Sequence, residues 1–131
     1  MKASLAVVMF GLGLLLPVTP ASAHHSVAGD YFMDQRATVE GEVAQFLYRN
    51  PHSFLQVTSK DPRTGESITW NVEWNGAGRL VREGVQADTL KPGDHVIVTG
   101  QPGRTGADHR MHMVNITRPS DGWKWNRGVR Y

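Results

Sequence analysis

The chain has 131 residues, a formal net charge of +2 and no cysteine. That length allows one domain plus an appendage. The missing cysteine excludes disulfides, thiolate metal sites and a cysteine nucleophile together. The arginines are scattered instead of forming the clustered stripe that nucleic acid requires, so nucleic acid is not an expected partner.

Met1 to Ala23 reads as a secretory signal peptide. Lys2 supplies the positive start, Leu5 to Leu16 is almost uninterruptedly apolar, and Pro17 and Pro20 end any helix. Ala21-Ser22-Ala23 then has the small-x-small form of a cleavage site. The apolar run is too short to serve as an anchor, so the expected product is periplasmic or secreted, with no transmembrane anchor after processing. Cleavage after Ala23 would make His24 the amino terminus. Cleavage after Ala21 would leave Ser22-Ala23-His24 there instead.

Residues 24–36 form an irregular lead-in, with Tyr31 and Phe32 expected to pin it to the domain. Ala37 to Tyr48 alternates as a strand does, with Gly41 placed where a long strand bends. Arg49-Asn50-Pro51-His52 makes a turn. A second strand follows over Ser53–Ser59, then a hairpin loop at Asp61–Gly65, then a third strand through Ile68, Trp70 and Val72. Ala77–Glu83 is the one helix expected, stopped by Gly84. His95–Gly100 and His109–Thr117 are the last two strands, and residues 119–131 are a tail without clear period.

Three strands, a short helix and two strands match the order of the OB-fold, a five-stranded Greek-key barrel whose loops flank a ligand face. The expected class is therefore mainly β: a small OB-like barrel over residues 37–118, with one short helix between strands three and four. A small β-sandwich is the alternative.

The chain also resembles a family of exported bacterial proteins known only as a domain of unknown function. The resemblance is carried by His24-His25-Ser26, Gly41-Glu42-Val43, Asn50-Pro51-His52, Trp70-Asn71-Val72-Glu73, and Gly93-Asp94 with Val96-Ile97-Val98. It implies a small, exported, barrel-like protein and no particular activity.

Chemistry must come from the residues. A free amine and an imidazole on His24 would form a two-point chelate, which His25 or a distant histidine could complete. Copper(II) favours such nitrogen donors. The third-position histidine of the other cleavage register would bind copper as well. The plain alternative is a polar mature start. His52, stiffened by Pro51, is the best internal partner, against the alternative of a turn histidine capping a carbonyl. Glu73 can orient His52 or act as a ligand, or simply face solvent. His109 and His112 alternate with Met111 and Met113, a pattern that suits copper but also a packed strand. Trp70 and Trp74 are candidate ligand-face aromatics.

No serine-elbow, phosphate-loop or zinc-protease signature occurs, so no catalytic residue is assigned. Two readings follow. One is a periplasmic copper or divalent-metal binder using His24, His25 and His52. The other is a metal-free module for an envelope protein, glycan or small ligand.

Overall fold

The computed structural model describes residues 26–128. The segment read as a signal peptide, His24, His25 and residues 129–131 lie outside them. The elements in order are a single helical turn α1 (Val27–Asp30), strands β1 (Ala37–Leu47), β2 (His52–Lys60) and β3 (Ser67–Asn75), and the short helix α2 (Ala77–Leu80). Strands β4 (His95–Pro102), β5 (Arg110–Arg118) and β6 (Trp123–Asn126) follow. A 3-10 turn at Val81–Glu83 extends α2 and ends at Gly84, which adopts the left-handed φ of 78° that favours glycine.

The long first strand pairs antiparallel with β2 and with β4; β2 pairs with β3, and β4 with β5. A short parallel contact between β3 and β5 closes the barrel. This is the OB-like arrangement, with the helix between β3 and β4, as expected. Gly41 sits where β1 passes from one partner to the other, and a Cβ there would collide with the Thr58 carbonyl of β2. Only glycine allows that approach.

Two bulges alter the expected alternation. Ala44 is the extra residue between the pairs Val43–Val57 and Gln45–Gln56. After it, Phe46 packs against the core while Gln45 is exposed, the reverse of strict alternation. Val114 is the extra residue between Gly100–Met113 and Thr99–Asn115. Met111, Met113 and Ile116 therefore all point into the core. His112 is not on the face of Ile116, as uninterrupted alternation predicts. It is on the outer face.

Leu55, Val57, Val72, Val96 and Val98 fill the barrel. Trp74 and Trp125 close it with an edge-to-face contact at 5.0 Å between ring centroids, a geometry that adds about 0.5–1.5 kcal/mol beyond burial. Trp125 comes from β6, within the stretch expected to be an irregular tail. Its pairing with β5 turns that tail into a sixth strand. The short WKWN segment lies below the length at which alternation is legible in sequence.

The lead-in is held as expected. Tyr31 is 1 % exposed and bridges to Gly103, and the Phe32 N–H donates to the Pro102 carbonyl. Among the described residues no helix is long and apolar enough to cross a membrane.

Candidate functional site

The outer surface where β2, β3 and β5 meet carries a polar cluster built from residues far apart in sequence. His52 is the first residue of β2, opposite Asn75 of β3, and so belongs to the strand and not to the turn before it. The loop preceding it is tightly held. Ser53 is buried; its hydroxyl accepts from the Arg49 N–H at 3.2 Å and donates to the Arg49 carbonyl at 3.1 Å. Asn50 Oδ1 accepts from the Gly78 N–H at 3.1 Å, which ties the loop to α2. The His52 ring is thus delivered from a fixed backbone.

Its Nδ1 lies 3.1 Å from Glu73 Oε1. The His52 side chain is 48 % exposed and that of Glu73 only 13 %. Glu73 Oε2 accepts a hydrogen bond from the Tyr31 hydroxyl at 2.5 Å. Arg110 donates to the Tyr31 oxygen at 3.2 Å and stands 3.8 Å from Glu73 Oε2. Burial, reinforced by the bond to Glu73, raises the Tyr31 pKa well above its usual value. Tyr31 therefore stays a donor. Because Arg110 already donates to its oxygen, its own proton goes to the carboxylate. A carboxylate that accepts from His52 places the ring proton on Nδ1 and leaves the Nε2 lone pair free. Among the described residues, Nε2 has no partner.

His112 sits behind this cluster. Its ring stacks on Tyr31 at 5.4 Å between centroids, and its Nδ1 accepts from Arg127 at 2.9 Å. Arg127 also donates to Gln101 Oε1 at 3.1 Å and to the Met113 carbonyl. Burial first, and then the Arg127 charge, push the His112 pKa down to about 4. With one ring nitrogen occupied by a cation, His112 supports Tyr31 and is not poised as a ligand. Arg110, Gln101 and Arg127 were not singled out in the sequence. Each is an isolated polar residue outside any motif; the β3–β5 closure brings Arg110 to Glu73, while the β4–β5 pairing brings Gln101 and the β5–β6 turn-back brings Arg127 to His112.

His109 is elsewhere. It precedes β5 in the left-handed region, with φ 42°, and its ring meets Trp70 edge-on at 5.2 Å. Trp70 and His109 line an open groove of about 560 Å³ at one end of the barrel, with Val39, Ile68, Lys60 and Pro62. Trp70 is therefore partly presented to solvent. Trp74 is not: it is 1 % exposed, inside the core, and its expected place on a ligand face is corrected. Trp74 follows Val72 on the inward side of β3, where Trp125 covers it. The sulfurs of Met111 and Met113 are likewise buried, which leaves no His–Met face on β5. Among the described residues, no three His, Cys, Asp or Glu side chains form a group that could hold a metal ion. His24 and His25 lie outside that set.

No curated protein matches the sequence. Among solved structures, a mitochondrial single-stranded DNA-binding protein of S. cerevisiae is similar at 13% identity, with a TM-score of 0.48, over 63% of this chain and 91% of the yeast chain. The barrel here is defined by its own strand pairings. A family model described as a family of unknown function (DUF6152) matches residues 13–112, a span that includes His24, His25, His52 and Glu73. The chain belongs to this family.

Proposed function

We propose that the protein is an exported metal-binding module that holds copper(II), or another divalent ion, through His24, His25 and His52. The observation that carries the reading is the His52–Glu73 pair. A half-exposed imidazole is held through Nδ1 by a largely buried carboxylate, which leaves Nε2 without a partner among the described residues. Carboxylates hold metal-binding histidines in this way.

The lead-in supports the same reading. Tyr31 is bonded to the very carboxylate that holds His52. Only five residues lie between His25 and Tyr31, so the amino-terminal histidines are close in the chain to the residue bonded to Glu73. After cleavage behind Ala23, the donor set is an amine and imidazoles, which suits copper(II). The role is carriage or sensing, not turnover.

The test is titration of the chain beginning at His24 with Cu(II), followed by electron spin resonance. The expected result is nitrogen coordination that loses one imidazole in His52→Ala. An additional residue in front of His24 should weaken binding by blocking the amine. Affinity that is unchanged by both His24→Ala and His52→Ala would sink the proposal.

The groove beside Trp70 and His109 favours a second reading, a metal-free site for a small ligand or a glycan of the envelope. Aromatic rings at an open barrel end can stack on flat or sugar surfaces. That reading predicts ligand-dependent tryptophan fluorescence that Trp70→Phe abolishes and chelators leave intact.

A further inference from the structure

We infer that Tyr31 is a positioning residue for His52, acting through Glu73 to fix which nitrogen of the His52 ring faces outward. The inference rests on the metal-binding reading for its purpose, though not for its geometry.

The contacts form a chain whose donations converge on the Glu73 carboxylate. Arg110 donates to the Tyr31 oxygen, Tyr31 donates to Glu73 Oε2, and Glu73 Oε1 faces His52 Nδ1. Without the phenol, the carboxylate could rotate toward Arg110, which is now 3.8 Å from Oε2. Its second oxygen would then leave the imidazole. The Tyr31 ring itself cannot drift, because it is fully buried, stacked on His112 and spanned by the Arg110 guanidinium at 5.6 Å. The backbone of Tyr31 is bonded in turn to Gly103 of the β4–β5 loop.

The lead-in is therefore more than a leash for the amino terminus. Its first buried side chain sets the hydrogen bonding of the internal ligand. The seating of the arm and the readiness of His52 become one event. A ring nitrogen's proton is placed by the bond its partner makes, so detaching Tyr31 should let both tautomers of His52 appear.

The experiment is nitrogen-15 spectroscopy of the histidine rings in metal-free protein, in mildly alkaline buffer, for the wild type and Tyr31→Phe. Cu(II) titration of both follows. The wild type should show His52 with a protonated Nδ1 and a bare Nε2. Tyr31→Phe, which keeps the buried ring, should show mixed tautomers and about tenfold weaker Cu(II) binding, at the lower end of what losing such a partner costs.

A wild-type His52 protonated on Nε2 overturns the inference even if the variant does not fold. So does a Tyr31→Phe protein whose His52 signals are unchanged. If the tautomer shifts as expected but Cu(II) binds neither protein, Tyr31 positions His52 and the metal reading falls.

Discussion

Among the described residues, two histidine–carboxylate pairs lie on the outside of this barrel, and they differ in nearly everything except length. His95 Nε2 is 2.8 Å from Glu40 Oε1, and His52 Nδ1 is 3.1 Å from Glu73 Oε1. In the first pair both side chains are exposed, at 50 % and 62 %, and neither has another side-chain partner among the described residues. In the second, the carboxylate is sunk to 13 % and held from its far side by Tyr31 and Arg110. The shorter contact is the less organised one. Distance alone does not make a site. What separates them is whether the carboxylate has somewhere else to go.

That contrast can be broken from either side. Glu73→Ala removes the acceptor of Tyr31 and the neighbour of Arg110 in a mostly buried place. It should cost about 2–3 kcal/mol of stability by urea denaturation. Tyr31→Phe keeps the stacking and the core contacts and should cost about 1 kcal/mol. Glu40→Ala and His95→Ala should each stay within about 0.5 kcal/mol of wild type, as exposed pairs do. A Glu40→Ala loss as large as that of Glu73→Ala would erase the distinction.

The support behind Glu73 also gives a pH signature. The His112 pKa falls from 6.5 to about 4 on folding, through burial and then the Arg127 charge. As pH drops, the unfolded chain takes up this proton before the folded one does. The contribution of His112 is thus fully present above about 6.5 and is lost as pH falls from there towards 4. In His112→Phe, which retains a ring against Tyr31, the fall in thermal midpoint across that window should be shallower than in wild type. Parallel curves for the two proteins would show that His112 remains protonatable in the fold.

Much of the barrel was legible in the sequence because its signals are local. Gly41 marked the bend of β1, the Pro-Arg-Thr-Gly loop marked a hairpin, and Gly84 marked the helix end. The bulges at Ala44 and Val114 were not legible, since nothing in either residue announces an extra position. Each bulge reverses the alternation beyond it, which is why Phe46 and Ile116 turn inward. The same limit applied to β6, where Trp125 is a core residue supplied by a strand too short to show a period.

The site divides in the same way. His52 and Glu73 could be picked out because one follows a stiff Pro51 and the other is acidic on the outward face of a strand. Tyr31 could be read only as a pin, because its hydrogen bond to Glu73 spans 42 positions. Arg110 and His112 reach Glu73 through a parallel contact of three residue pairs that no local pattern encodes. Trp74 shares the face of Ile68 and Val72; what could not be read was that Trp125, from a strand too short to show a period, covers it.

The most direct test of the central claim sets the two pairs against each other. Cu(II) affinity is measured for the chain beginning at His24, alongside His52→Ala and His95→Ala made in that same chain. The account predicts at least tenfold weaker binding for His52→Ala, by analogy with the loss of a partner that orients a ligand, and wild-type binding for His95→Ala. Equal affinities for all three proteins, or equal losses in both variants, would contradict it.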